Sequence, residues 1–316
     1  MPKIYPPGEK NIAPQLNEVF FRTEDGTHLP IRHWLPKNEP HAVIIALHGF
    51  NDYSRFFETP GEYFSRQGIA CFAYDQRGVG LAPKRGVWAG LDAYTDDLQT
   101  LLQLVKQRYP KQPVYLLGES MGGAIVISAI SRLSMPEVAG VILSAPALWA
   151  RATMPWYQTG LLWTLAHTVP DMTLTGKGVH VVASDNIEML RDLGRDPWVI
   201  KATRVETLYG LTDLMDTAFS SAASLHGNFL MLYGEKDEII PKAPTQAFLQ
   251  QFLNTDKQTK TVAIYQQGYH MLLRDLQATS VWQDIAAWIN SRGNPLPSGA
   301  DKRAKSWLEK TRELAQ

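Results

Sequence analysis

Residues 113–122 read Pro-Val-Tyr-Leu-Leu-Gly-Glu-Ser-Met-Gly, an apolar run that ends on a serine with a glycine two positions to either side. Residues 113–117 suit a buried strand, and the glycine- and alanine-rich stretch after Gly122 suits a helix. A serine at such a strand-to-helix corner is held in a strained backbone conformation that presents its hydroxyl at the end of the strand. The turn is sharp enough to press the helix onto the strand, and only small flanking residues avoid the clash. Gly118 and Gly122 meet that need, while Gly123 and Ala124 let the helix approach closely. Ser120 is the candidate nucleophile.

Outward from this corner, runs 42–47, 69–74, 140–144 and 228–233 are, like 113–117, short, apolar and nearly continuous, as parallel strands buried on both faces are. A last strand is expected over 260–266. Helical patterns over 92–108 and 122–133 alternate with the strands, which predicts a mostly parallel sheet with helices on both faces. Near the N-terminus, β-prone stretches 18–24 and 28–35 flank Glu24-Asp-Gly-Thr27, so they read as an antiparallel hairpin at one edge of the sheet. A serine elbow on such a sheet defines the expected fold class, the α/β-hydrolase fold.

The alternation stops between Ala150 and about Val205, a gap too long for a simple crossover. It carries Trp156, Trp163 and Trp198 among leucines and methionines. The expected organisation is therefore a core of residues 1–149 and 206–290, an inserted helical cap over 150–205, and a tail over 291–316 that closes in a charged, solvated helix.

With 316 residues, 45% of them hydrophobic, the chain suffices for one large α/β domain with an insertion. Basic and acidic residues balance at 31 each, which argues against nucleic acid as a partner. The single cysteine, Cys71, excludes an internal disulfide framework and a multi-cysteine metal site, and its apolar neighbours suggest an inert buried thiol. There is no His-Glu-x-x-His pattern. No apolar run reaches the roughly 18 residues that span a bilayer, and residues 1–14 lack a signal-peptide core. The expectation is a soluble chain, cytoplasmic by default.

A serine hydroxyl attacks only with a base in reach and a third group that holds the base in the right tautomer. On this fold the partners follow in the order serine, acid, histidine. The acid is expected just past the strand 228–233, where Glu235, Asp237 and Glu238 lie close together and Asp237 is preferred. After the last strand, Gly268-Tyr-His270 places the candidate base, His270, at the same sheet edge. The oxyanion hole needs two backbone N–H donors. Met121 supplies one as the residue after the nucleophile, and Phe50 is the expected second, with Gly49 letting the backbone approach. His48 and Asp75 read as structural residues that order loops at this edge.

With these elements in order, the chain resembles the monoacylglycerol lipase and lysophospholipase branch of the α/β-hydrolases. The likeness is carried by His48-Gly-Phe-Asn-Asp-Tyr-Ser54, Asp75-Gln-Arg-Gly-Val-Gly80, Gly118-Glu-Ser-Met-Gly122, Tyr233-Gly-Glu-Lys-Asp237 and Tyr269-His-Met-Leu-Leu273. It spans roughly residues 18 to 290. In that branch the oxyanion loop often reads His-Gly-x-Gly, and Asn51 takes the second glycine's place here.

The resemblance implies ester hydrolysis of a lipid-like small molecule beneath the cap, with no cofactor. The alternatives are a short-chain carboxylesterase, a serine aminopeptidase, or a ligand-binding protein that has lost turnover. The cap's tryptophans and leucines read either as the core of a helical subdomain or as an acyl tunnel and a face for a lipid surface.

Overall fold

The apolar runs become strands buried along their length: β4 (Ala42–Leu47), β5 (Ile69–Tyr74), β6 (Val114–Glu119), β7 (Gly140–Ser144) and β10 (Phe229–Gly234), with β11 (Lys260–Tyr265) closing the series. The computed structural model describes residue 2 and residues 4–176, 181–255 and 260–314. Positions 177–180 of the expected cap, 1, 3 and 256–259 of the expected core, and 315–316 of the tail lie outside the described residues.

The nine-stranded sheet has the order β1-β2-β3-β5-β4-β6-β7-β10-β11, in which β1 (Gln15–Leu16), β2 (Phe20–Arg22) and β3 (His28–Trp34) form the antiparallel edge. All pairings from β5 to β11 are parallel. The expected hairpin is present, with Phe20 opposite Pro30 and Gly26 at φ 79 in its turn.

Strand side chains alternate between faces, and here both faces are apolar. Val43, Ile45 and Leu47 point into one core with α2 (Leu91–Arg108), α3 (Met121–Arg132), α6 (Val205–Ser220) and α7 (Lys242–Phe252). Ala42, Ile44 and Ala46 point into the other with α1 (Glu58–Arg66) and α8 (Ala278–Asn290).

Residues 150–205 hold α4 (Trp156–Thr168) and α5 (Ile187–Arg195), together with a feature that the helical reading lacked. Strand β8 (Thr173–Thr175) pairs antiparallel with β9 (Ala202–Arg204). Three residues are too few to display a period, so this ribbon left no pattern in the sequence.

The C-terminal helix α9 (Ala300–Leu314) also departs from the solvated helix expected of the tail. Ala300, Ala304 and Trp307 are buried, and Arg303 Nε donates to the Ile264 carbonyl at 3.0 Å. The helix thus covers β11, the last strand of the sheet, and shields an otherwise open edge. Among the described residues no helix is long and apolar enough to cross a membrane.

Candidate active site

Strand β6 runs to Glu119 and helix α3 begins at Met121, leaving Ser120 alone on the corner at φ 53, ψ −115. That is the left-handed side of backbone space, which costs a non-glycine residue about 1–3 kcal/mol. The surrounding backbone pins it there. Ser120 N–H donates to the Ser144 carbonyl at 2.9 Å, and the Ser120 carbonyl accepts from Ala124 and Ala147 N–H at 3.2 and 2.9 Å. The glycines act as the sequence suggested: a Cβ on Gly118 would lie 2.5 Å from the Gly122 carbonyl, and one on Gly122 would lie 2.3 Å from the Leu47 oxygen.

Because the sheet is parallel here, β6, β10 and β11 all end at the same edge, and the loops that follow them converge. The loop after β10 meets the loop after β11 backbone to backbone. A Cβ on Gly234 would lie 2.4 Å from the Gly268 and Tyr269 oxygens, and Lys236 N–H donates to the Gly268 carbonyl at 3.0 Å. Gly234 and Gly268 are therefore part of the site's framework, a role that a lone glycine in sequence does not advertise.

This approach seats His270 Nδ1 2.9 Å from Asp237 Oδ2, with both side chains buried. Asp237 Oδ1 accepts from Ile239 and Ile240 N–H at 2.8 and 2.9 Å, so the carboxylate is held from both ends. Of the rival acids, Glu238 turns outward to accept from Val182 N–H at 2.8 Å, and it is Asp237 that His270 meets. Burial works against charge on His270, but the Asp237 carboxylate, by charge and hydrogen bond and aided by Glu119, outweighs it and raises the imidazole's pKa. With Nδ1–H given to Asp237, the Nε2 lone pair is left as the proton acceptor. Ser120 Oγ itself makes no hydrogen bond to His270, a looseness common in unliganded sites.

The third loop follows β4. A Cβ on Gly49 would lie 3.3 Å from Ser120 Cβ, so the backbone here runs against Ser120. Met121, as the first helical residue, has an N–H with no partner within the helix. Phe50 and Met121 line one small cavity of about 10 Å³. Asn51, in the place of the glycine, adopts φ 64, a conformation that asparagine tolerates better than most residues. Its carbonyl accepts from Ile200 N–H at 3.0 Å, and its Nδ2 donates to Thr203 Oγ1 at 2.6 Å.

His48 and Asp75 order the edge. Gln76 N–H donates to His48 Nε2 at 3.0 Å, which puts the proton on Nδ1, facing the Gly49 carbonyl at 2.8 Å, and burial lowers the pKa of this neutral ring. Asp75 accepts from Ser54 and Leu81 N–H at 3.0 and 2.8 Å.

Segment 182–186 is fastened along the histidine loop. Met271 N–H donates to the Ala183 carbonyl at 3.1 Å, and Ser184 Oγ donates to Asp275 Oδ1 at 2.6 Å. Two cavities flank the site. One of 760 Å³ lies between Phe50 and Asn51 and the β8–β9 ribbon, with Leu174, Ile200 and Leu208 in its walls. The other, of 530 Å³, lies beneath α5 and reaches Asp52 and Arg274. Neither is lined by Ser120, which is 8% exposed, or by His270, at 6%.

The chain is similar to the monoacylglycerol lipase of Mycolicibacterium smegmatis, 26% identical over 285 residues that cover 89% of this chain and 99% of that one. It is also similar to the monoglyceride lipase of Rattus norvegicus, at 28% identity with 85% and 88% covered. Its fold matches the structure of a soluble variant of monoglyceride lipase from Saccharomyces cerevisiae in complex with a substrate analog. The TM-score there is 0.73 at 19% identity, with 91% and 98% covered. The sequence profile of the family described as serine aminopeptidase, S33, matches residues 38–277. Since that match takes in most of the sheet and all three converging loops, the chain belongs to the serine aminopeptidase S33 family of α/β-hydrolases.

Proposed function

We propose that the protein is a serine hydrolase of carboxylic esters whose substrates are monoacylglycerols or lysophospholipid-like lipids. His270 Nε2 takes the Ser120 proton as Oγ attacks the ester carbonyl, and Asp237 holds the imidazolium that forms. The N–H groups of Met121 and Phe50 receive the oxyanion, each contributing about 3 kcal/mol to transition-state stabilisation. His270 then protonates the leaving alcohol, and water deprotonated by the same ring releases the carboxylic acid from Ser120. The step needs no cofactor.

The observation that carries this reading is the buried Asp237–His270 pair on the loops after β10 and β11, at the sheet edge where β6 ends in a serine held at positive φ. The lipid class rests on the similarity to monoacylglycerol lipases. It is supported by the apolar walls of the cavity next to Phe50, whose volume lies in the range of small-molecule sites. Residues 150–205 act as the cap over this chemistry, and the low exposure of Ser120 and His270 requires that cap to shift when substrate enters. The exposed apolar side chains of α4 suit contact with a lipid surface.

A panel of monoacylglycerols against aminoacyl amides, run with wild type and Ser120→Ala, tests the proposal. Ester turnover that Ser120→Ala abolishes is expected. Faster cleavage of the amides overturns the substrate class, and turnover that survives Ser120→Ala overturns the nucleophile.

A further inference from the structure

Glu119 precedes the nucleophile at the end of β6, and it is buried to 2% exposure. A carboxylate in such a place needs a partner. It finds Arg274, whose Nη2 donates to Glu119 Oε1 at 2.8 Å and lies 2.8 Å from Asp52 Oδ2. The guanidinium sits 5.8 Å from the Phe56 ring centroid and is itself 10% exposed.

Asp52 lies on the loop after β4, Glu119 at the end of β6 and Arg274 on the loop after β11. Asp52 closes the turn of the Phe50 loop through its N–H to the Gly49 carbonyl at 3.3 Å. Glu119 is covalently next to Ser120. Arg274 ends the turn that begins at Met271, next to His270, its N–H donating to the Met271 carbonyl at 2.8 Å. The Arg274 carbonyl also accepts from Asn186 Nδ2 at 3.0 Å, in the segment leading into α5.

Two carboxylates for one guanidinium, out of water, is a poor way to add stability, because apolar side chains of similar volume do as well or better. It is a good way to fix geometry, since the planar guanidinium bonds Glu119 in a fixed direction and draws the Asp52 carboxylate to the same nitrogen by charge. We propose that Arg274 is a positioning residue: by gripping Glu119 and Asp52 at once, it sets the spacing of the His270 loop against Ser120 and the oxyanion loop. This inference rests on the reading of Ser120, His270 and Asp237 as the hydrolytic machinery. The charged groups acting on His270 are Asp237, Glu119 and Arg274. The clamp therefore also touches the base electrostatically, and Glu119 favours the protonated ring.

The test measures kcat, KM, the rate of Ser120 labelling by a fluorophosphonate, and folding by circular dichroism. It uses wild type, Arg274→Met, Arg274→Lys, Glu119→Gln and Asp52→Asn, with a short water-soluble p-nitrophenyl ester. Displacement of a reacting group by an ångström costs about 100-fold, so Arg274→Met is expected to lose about that much in kcat with KM little changed. Labelling should slow in proportion, and Arg274→Lys should recover part of the loss. Glu119→Gln should lower kcat and move the acid limb of kcat/KM to lower pH. If Arg274→Met does not fold, Glu119→Gln and Asp52→Asn carry the test. A folded Arg274→Met with wild-type kcat overturns the clamp, as do wild-type values in both carboxylate variants. A wild type that the fluorophosphonate leaves unlabelled overturns the hydrolase reading and, with it, this one.

Discussion

His270 Nδ1 and Asp237 Oδ2 stand 2.9 Å apart in a buried setting where, among the described residues, the other hydrogen bonds to the carboxylate come from the backbone of Ile239 and Ile240. Asp237 therefore has one side-chain client, and its charge raises the pKa of His270. With His270 as the proposed base, activity requires the neutral ring. A raised pKa keeps the ring protonated to higher pH, so the acid limb of kcat/KM should lie above the ordinary histidine value near 6.5. Asp237→Asn removes the carboxylate. The limb should then move to lower pH while kcat falls by about 10⁴-fold, as loss of the orienting acid does in such triads. A profile between pH 5 and 9 with a soluble ester reads both, and a limb unmoved by Asp237→Asn would contradict the pairing.

The backbone of Ser120 yields a second prediction. Serine at φ 53 is strained and glycine there is not, so Ser120→Gly should raise stability by about 1 kcal/mol while abolishing turnover. Ser120→Ala abolishes turnover equally but keeps the strain, so its stability should stay near wild type. Urea midpoints of the three proteins decide it, and equal midpoints for glycine and alanine would show that the corner stores no strain.

Asn51 has two duties that substitution can separate. Its φ of 64 suits glycine as well, but only asparagine offers Nδ2 to Thr203 Oγ1. Asn51→Gly should therefore keep the oxyanion loop and its activity on short esters while loosening the tie to β9. Asn51→Ala should add about 1–2 kcal/mol of strain and, unlike the glycine variant, lower kcat. Alanine and glycine variants of equal stability and kcat would show that backbone conformation at 51 has no bearing on the oxyanion loop.

What was legible in the sequence follows from what leaves a local pattern. Residues 42–47, 69–74 and 140–144 are strands at the expected bounds, because a strand buried on both faces must be apolar throughout. The corner at Ser120 was legible because its glycines answer a backbone clash within five residues. The β8–β9 ribbon was too short to show alternation. Helix α9 hid its buried face because Ala300, Ala304 and Trp307 sit among charged neighbours. The joining of Asp52, Glu119 and Arg274 left no trace, since each is an ordinary loop or strand-end charge until the fold brings it to the others.

Trp307 tests how far α9 belongs to the core. It is 9% exposed, with its ring 5.8 Å from that of Tyr233 on β10. Trp307→Ala should destabilise the protein by about 3 kcal/mol, the low end for a large aromatic removed from a core. Trp307 packs into the apolar core against Tyr233, so kcat per folded molecule should hold. A fall in kcat without a fall in stability would mean that α9 governs the acid loop after β10.

On α4 only Ala166 is buried, while Trp156 is 84% exposed, Leu161 61% and Trp163 55%. A helix that is apolar on its solvent face as well as on its packed face is unusual for a surface element, and contact with lipid hydrocarbon would explain it. Burying each of these side chains contributes roughly 1.5 kcal/mol at the low end, which for three together amounts to about a thousandfold in partitioning. A variant with all three replaced by serine should lose binding to phosphatidylcholine vesicles in a sedimentation assay. It should also slow on long-chain monoacylglycerol presented in those vesicles, yet keep wild-type kcat/KM on a short ester in solution. The divergence between the two substrates is the informative quantity, because a misfolded cap would depress both. Vesicle binding equal to wild type would instead assign these side chains to packing within residues 150–205.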